Sequence, residues 1–96
     1  MSNTEKTKVA VITGGASGIG RCVVEQLLAG GWQVWALDVS QDRLAQMARE
    51  LGAGERLRTL ACDVSDTDSV ERAFASLRAH TAGIDALVCS AGVVRP

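Results

Sequence analysis

The feature that most constrains this chain is a glycine-rich stretch, residues 13–20, between two contrasting segments. The apolar residues 9–12 before it predict a β-strand, and the amphipathic residues 19–28 after it predict a helix. A glycine turn from strand to helix favours phosphate binding, because the first N–H groups of a helix lack partners and glycine lets an anion approach the backbone. The stretch therefore predicts a dinucleotide site.

The spacing of these glycines distinguishes between known kinds of nucleotide-binding turn. Gly14, Gly18 and Gly20 follow a Gly-x-x-x-Gly-x-Gly pattern. This differs from the common Gly-x-Gly-x-x-Gly dinucleotide fingerprint, and it lacks the Gly-Lys-Ser/Thr ending of a nucleotide triphosphate loop. A tight connection that binds no ligand remains an alternative on the glycines alone.

The rest of the chain alternates between predicted strands and predicted helices. Apolar runs predict strands over residues 34–37, 56–62 and 84–89. In the first helix, Ile19, Val23 and Leu27 form the predicted apolar stripe, and Gly30 and Gly31 end it.

Two further helices are predicted from their first turns. Ser40 is the predicted N-cap of the second helix, which Gly52 and Gly54 close. Residues 65–68 have the form of a capping box for the third helix, which ends near Gly83. The predicted apolar faces are Leu44, Met47, Ala48 and Leu51 in the second helix, and Val70, Ala73, Phe74 and Leu77 in the third.

This alternation predicts an α/β fold, a doubly wound parallel sheet with helices on both faces. The expected strand order is 3-2-1-4, which places a ligand crevice outside the carboxyl ends of strands 1 and 4. The 96 residues make one domain at most, residues 1–96, and a chain of this size buries only a modest core.

Four sequence positions should meet at that rim, because each follows a predicted strand. They are the glycine turn, Asp38, Asp63 and residues 90–92. An acidic residue about 20 positions beyond the glycines can accept hydrogen bonds from both hydroxyls of an adenosine ribose. Asp38 would also repel a 2′-phosphate, and neither Ser17 nor Val39 offers a positive charge, so NAD is predicted over NADP. The alternative is that Asp38 only caps a turn.

Composition excludes several other classes of function. The ten Lys and Arg residues are scattered and eleven Asp and Glu residues offset them, which argues against nucleic acid or an anionic membrane as partner. No apolar run is long enough to span a bilayer, and the polar residues 1–8 do not form a secretory signal. No metal site is predicted. Three unpaired cysteines, Cys22, Cys62 and Cys89, indicate a reduced, cytoplasmic protein in which Cys62 and Cys89 are packed.

Taken together, these motifs resemble the short-chain dehydrogenase/reductase family, over about residues 9–92. Residues 13–20 resemble its Thr-Gly-x-x-x-Gly-x-Gly fingerprint, and Cys62-Asp63-Val64 its acidic step after the third strand. Residues 87–92 resemble its Asn-Asn-Ala-Gly stretch, with Cys89 and Ser90 in place of the asparagines. The resemblance implies a Rossmann-type fold in which Asp63 meets the adenine amino group and Val64 packs by the ring.

The resulting prediction is the cofactor-binding part of an NAD-dependent oxidoreductase that transfers hydride between NAD and an alcohol or carbonyl. The predicted cofactor-binding residues are Gly14, Ser17, Gly18, Ile19, Gly20, Asp38, Asp63, Val64, Ser90, Ala91 and Gly92.

No catalytic residue is predicted within this chain. The family's Tyr-x-x-x-Lys pair cannot be formed, because the chain has no tyrosine and its only lysines, Lys6 and Lys8, precede the first strand. The sequence is therefore expected to be an incomplete half of the fold, cut from a longer chain or completed by another, and inactive alone. The complete protein is expected to act on a small alcohol or ketone and to be a homo-oligomer.

Two alternatives remain from other classes. One is a stand-alone NAD-binding or regulatory module without catalysis. The other is a methyltransferase-like half that binds an adenosyl cofactor, which ranks last because the glycine turn suits a pyrophosphate better.

Overall fold

Four strands alternate with three helices in the part of the chain that the structure describes. The computed structural model describes residues 7–16 and 18–90. The elements are β1 (Val9–Thr13), α1 (Gly18–Ala29), β2 (Gln33–Asp38), α2 (Gln41–Leu51), β3 (Leu57–Ala61), α3 (Thr67–Arg78) and β4 (Ala86–Cys89). A short 3-10 turn, Gly54–Arg56, precedes β3. The strands β3 and β4 are shorter than the predicted runs 56–62 and 84–89.

The strands form one parallel sheet in the order β3-β2-β1-β4, which confirms the predicted order 3-2-1-4. In the register of this sheet, Val11 of β1 lies opposite Trp35 of β2 and Leu87 of β4. Arg58 of β3 lies opposite Trp35 on its other side. Since all four strands run the same way, their carboxyl ends lie along one rim.

Helices cover both faces of the sheet, as predicted. On one face, α1 and α2 bury Val24, Leu28, Leu44 and Met47 against Ala10, Ile12, Val34 and Ala36. On the other face, α3 buries Ala73 and Leu77 against Val9, Val11, Trp35 and Leu37. Strands β1 and β2 therefore form the centre of the core, because both of their faces are covered.

The apolar stripe of α1 lies about one position away from the predicted one. Gly20, Val24 and Leu28 are buried, whereas Ile19 is 77% exposed. The predicted packing of Ile19 on the sheet is wrong, because the helix begins at the open rim, beyond the cover of the sheet. Beyond Gly30, the N–H groups of Gly31 and Trp32 donate to carbonyls of the last turn, which closes the helix as predicted.

The predicted N-cap of α2 is confirmed, whereas the predicted N-cap of α3 is not. Ser40 is the N-cap of α2, and its side chain accepts a hydrogen bond from the N–H of Arg43. In α3 the N-cap is Asp66, whose carboxylate accepts from the N–H of Asp68. The predicted capping box, which would put Ser65 at the N-cap, is therefore wrong by one residue, because the Ser65 hydroxyl donates to Asp63 instead.

Three residues near the β4 edge of the sheet are less covered than the apolar pattern suggests. Leu87 is 55% exposed and Ile84 is 41% exposed. Cys89 is also exposed, so the prediction that it is packed is wrong, whereas Cys62 is buried as predicted. These residues are exposed because, among the described residues, β4 is an edge strand that pairs with β1 and with no other strand.

Within residues 7–16 and 18–90, no helix combines the length and the apolar character that crossing a membrane requires.

Candidate cofactor site

The turn between β1 and α1 forms the first wall of the candidate site. Gly14 and Gly18 have φ angles of 69° and 47°, in the left-handed region that favours glycine. The N–H of Gly15 donates to the carbonyl of Leu37 at 3.1 Å, which ties the turn to β2. The first helical turn of α1 contains no acidic side chain. Its partial positive charge is therefore not offset by a carboxylate of that turn.

At Gly20 the start of α1 lies very close to the glycine turn and to the end of β4. A Cβ added to Gly20 would lie 2.0 Å from the carbonyl oxygen of Gly14 and 2.6 Å from the Ser90 hydroxyl oxygen. The helix therefore begins directly against the glycine turn and the end of β4, and only a residue without a side chain fits.

Ser90 links the end of β4 to the end of β1. Its hydroxyl donates to the carbonyl oxygen of Thr13 at 2.7 Å, and its N–H donates to the same oxygen at 3.1 Å. Ser90 thus supplies a side-chain link between the two strands at the position where the resembling family has asparagine.

Asp38 connects the glycine turn to the start of α2. One carboxylate oxygen accepts from the N–H of Ala16 at 3.1 Å, and the other accepts from the N–H of Ser40 at 3.2 Å. Asp38 therefore does cap a turn, as the alternative interpretation holds. It does not exclude a ligand, because each carboxylate oxygen can accept a further hydrogen bond.

A small cleft of about 140 Å³ lies beside Asp38. The residues that line it are Gly14, Asp38, Val39, Cys62 and Val64. Val39 is 67% exposed and Val64 is 50% exposed, so the cleft combines apolar side chains with one carboxylate. The sequence prediction of site residues omitted Val39 and Cys62, although both adjoin predicted site residues at strand ends.

Asp63 lies next to this cleft but does not line it. Its carboxylate accepts from both the N–H and the hydroxyl of Ser65, at 2.9 Å and 2.7 Å. These hydrogen bonds stabilise the charged form and lower the pKa of Asp63 below its ordinary value of 3.8. The carboxylate is exposed and stays ionised at neutral pH.

The remaining predicted residues fall into two groups. Gly18 and the exposed Ile19 lie at the start of α1, on the same rim. Ser17, Ala91 and Gly92 lie outside the described residues.

Arg21, one turn into α1, takes part in ion pairs. It contacts Glu25 at 3.1 Å and Glu50 of α2 at 2.8 Å. These carboxylates hold its guanidinium between the two helices. The pKa of Glu50 is lowered by this contact.

Comparison with known proteins identifies the family. The sequence model described as "short chain dehydrogenase" matches residues 8–96. The chain is 41% identical over 90 residues to a D-threitol dehydrogenase of Mycolicibacterium smegmatis, covering 92% of this chain and 34% of that protein. It is 37% identical over 86 residues to a 2-dehydro-3-deoxy-L-rhamnonate dehydrogenase (NAD(+)) of Sphingomonas sp., covering 90% and 33%.

Solved structures agree with this assignment. The RhlG/NADP active-site complex of Pseudomonas aeruginosa superposes with a TM-score of 0.82 at 29% identity, covering 90% of this chain and 35% of that one. The chain spans about a third of the length of the curated relatives it matches. With the family match, the parallel sheet and the glycine turn in agreement, this chain belongs to the short-chain dehydrogenase family of oxidoreductases.

Proposed function

We propose that the cleft beside Asp38 binds the adenosine half of NAD, and that the chain is the cofactor-binding part of an NAD-dependent oxidoreductase. The complete protein would be a cytoplasmic homo-oligomer that transfers hydride between NAD(H) and a small alcohol or carbonyl compound. The observation that carries the proposal is the joint position of Gly14 and Asp38 in one cleft.

Each part of the rim suits a different part of the cofactor. The glycine turn and the start of α1 would hold the pyrophosphate through backbone N–H groups. Asp38 would accept hydrogen bonds from the ribose hydroxyls. Val39 and Val64 offer apolar surface for the adenine ring, and the ionised Asp63 lies beside it, within the same loop as Val64. When bound, NAD supplies the hydride acceptor.

The preference for NAD over NADP depends on charge. A 2′-phosphate bound at this site would approach the carboxylate of Asp38, and Val39 offers no compensating cation. One relative carries NAD(+) in its printed name, whereas one similar structure is an NADP complex, so both cofactors occur among similar proteins. Asp38 and Val39 of this chain are therefore the residues that argue for NAD.

Binding is expected without turnover in this chain. The chain has no tyrosine, so it cannot supply the Tyr-x-x-x-Lys pair that the family resemblance implies. We expect purified protein to bind NAD and to oxidise no alcohol. Reduction of NAD by the 96-residue chain in the presence of an alcohol would overturn this part of the proposal.

Isothermal titration calorimetry with NAD⁺ and NADP⁺ tests the assignment. We expect NAD⁺ to bind at least about tenfold more tightly, which corresponds to about 1.4 kcal/mol. Asp38→Asn removes the charge but keeps one acceptor oxygen. It should therefore weaken NAD⁺ binding and reduce the difference in affinity between NAD⁺ and NADP⁺. Val39→Arg should strengthen NADP⁺ binding by supplying a cation.

Asp42→Asn is the matched control for Asp38→Asn. Asp42 lies in the exposed first turn of α2, outside the cleft, and the substitution removes the same charge. It should leave both affinities unchanged. Equal or tighter binding of NADP⁺ by the unmodified protein would overturn the proposed preference, and S-adenosylmethionine binding in place of NAD⁺ would overturn the cofactor class.

A further inference from the structure

The turn after β3 brings Asp63 next to the cofactor cleft. Its two neighbours along the chain, Cys62 and Val64, both line that cleft, whereas Asp63 itself is exposed. An exposed side chain samples several rotamers unless other groups hold it in one of them. The groups that hold the Asp63 carboxylate therefore decide whether it presents an acceptor to a bound base.

The main chain of Asp63 is held from two sides. Its carbonyl accepts a hydrogen bond from the N–H of Asp66 at 3.0 Å, which closes the turn over residues 63–66. Its N–H donates to the hydroxyl of Ser69, in the first turn of α3, also at 3.0 Å. The start of α3 therefore fixes the position from which the Asp63 side chain extends.

Ser65 holds the side chain of Asp63 by one oxygen only. The N–H and the hydroxyl of Ser65 both donate to Oδ1 of Asp63, at 2.9 Å and 2.7 Å. Rotation of the carboxylate would break at least one of these hydrogen bonds. Oδ2 of the same carboxylate makes no hydrogen bond within residues 7–16 and 18–90. One oxygen is thus occupied by Ser65, and the other is available to a ligand.

An ionised carboxylate distinguishes between purine bases by the group at their edge. It can only accept hydrogen bonds, and the bonds from Ser65 that lower the pKa of Asp63 keep the carboxylate ionised at neutral pH. Adenine carries an exocyclic amino group, which donates. Hypoxanthine has a carbonyl oxygen at the same position, and two acceptors that face each other repel. A carboxylate held in place therefore favours adenine over hypoxanthine.

We propose that Ser65 is a positioning residue for base selection, which holds Asp63 so that Oδ2 accepts a hydrogen bond from the amino group of adenine. Ser65 does not line the cleft and acts through Asp63. This role rests on the proposed function, because it requires the adenine of NAD to lie against Val64.

Isothermal titration calorimetry with NAD⁺ and with nicotinamide hypoxanthine dinucleotide tests this role. The two dinucleotides differ only in the purine base, where a carbonyl oxygen replaces the amino group. We expect the unmodified protein to bind NAD⁺ about tenfold more tightly, which is the effect of one hydrogen bond to a charged group.

Ser65→Ala should reduce that preference to about threefold, because binding must then immobilise a carboxylate that rotates freely. The loss should fall on NAD⁺ alone, since hypoxanthine donates no hydrogen bond to Oδ2. A merely structural role of Ser65 would weaken the binding of both dinucleotides by the same factor and leave the preference unchanged. Ser65→Thr keeps both donors and should keep the preference of the unmodified protein.

Two further measurements complete the test. Ser76→Ala is the matched control, because it removes a serine hydroxyl from α3 outside the cleft and should leave both affinities unchanged. Asp63→Ala should abolish the preference for adenine. Adding Ser65→Ala to that variant should have no further effect on the preference, since Ser65 acts through Asp63.

The outcomes separate this role from the proposed function. If neither dinucleotide binds the unmodified protein, the proposed function fails and this role fails with it. If NAD⁺ binds and Ser65→Ala leaves the preference for adenine unchanged, the NAD proposal stands and the role of Ser65 is overturned. Equal binding of the two dinucleotides by the unmodified protein would overturn the role of Ser65 as well.

Discussion

Gly20→Ala is a substitution for which the structure predicts a large loss of stability. The added Cβ would lie 2.0 Å from the carbonyl oxygen of Gly14, a backbone atom that cannot rotate away. Either the start of α1 or the glycine turn must therefore move. The Ser90 hydroxyl, 2.6 Å from the same Cβ, blocks the other side.

The size of the effect follows from two opposing contributions. Overpacking in a tight region costs up to about 3 kcal/mol, and contact with fixed backbone places Gly20→Ala at that end of the range. Alanine favours a helix over glycine by about 1 kcal/mol, which offsets part of this cost. The net loss in free energy of unfolding is about 2 kcal/mol. For a domain of this size, that lowers the melting temperature by roughly 8–16 °C.

Urea unfolding followed by far-UV circular dichroism measures this loss, and Gly30→Ala is the matched control. Gly30 lies just after the same helix, and a Cβ there would meet its nearest atom at an ordinary 3.5 Å. Gly30→Ala should therefore be neutral or stabilise by up to about 1 kcal/mol. If both variants unfold within about 0.5 kcal/mol of the unmodified protein, the close approach at Gly20 is not real.

Three further predictions follow from other parts of the chain. Ser40→Ala removes the acceptor for the N–H of Arg43 and should cost about 1 kcal/mol in the same unfolding assay; an unchanged midpoint would contradict the N-cap assignment. The hydrogen bonds from Ser65 lower the pKa of Asp63, so the stability they contribute is present above pH 3.8 and is lost as pH falls through the lower folded value. Carbon-detected NMR should show Asp63 titrating below 3.8, and Ser65→Ala should raise its pKa; titration at 3.8 or above in the unmodified protein would contradict this. Of the three cysteines only Cys62 is buried, so a chromogenic disulfide reagent should modify two thiols in the native protein and the third only in denaturant. Rapid modification of all three would contradict the packing of Cys62.

The sequence predicted the sheet well because its strongest signals are local. The apolar run around Val11 and the run around Trp35 had no polar alternation, and both strands proved to be buried on both faces. Strand order followed from the connectivity rules for parallel sheets. The errors arose where burial depends on distant neighbours: Ile19 lies at the open rim and Cys89 on an edge strand.

Only part of the candidate site was predicted, and the reason is similar. Gly14 and Asp38 carried position-specific signals, and the structure brings them into one cleft. Val39 also lines it, but its side chain has no polar group that would mark it as a binding residue in the sequence. The position of Arg58 opposite Trp35 depends on the pairing of β3 with β2, which the sequence of β3 alone does not reveal.

The measurement that tests the central claim most directly is an amide ¹⁵N NMR titration of the chain with NAD⁺. The account predicts saturable shifts at the rim, at Gly14, Gly20, Asp38 and Val64, with little change around Arg58. No shifts at saturating NAD⁺, or shifts centred on Arg58 with the rim unchanged, would contradict the assignment of the cofactor site.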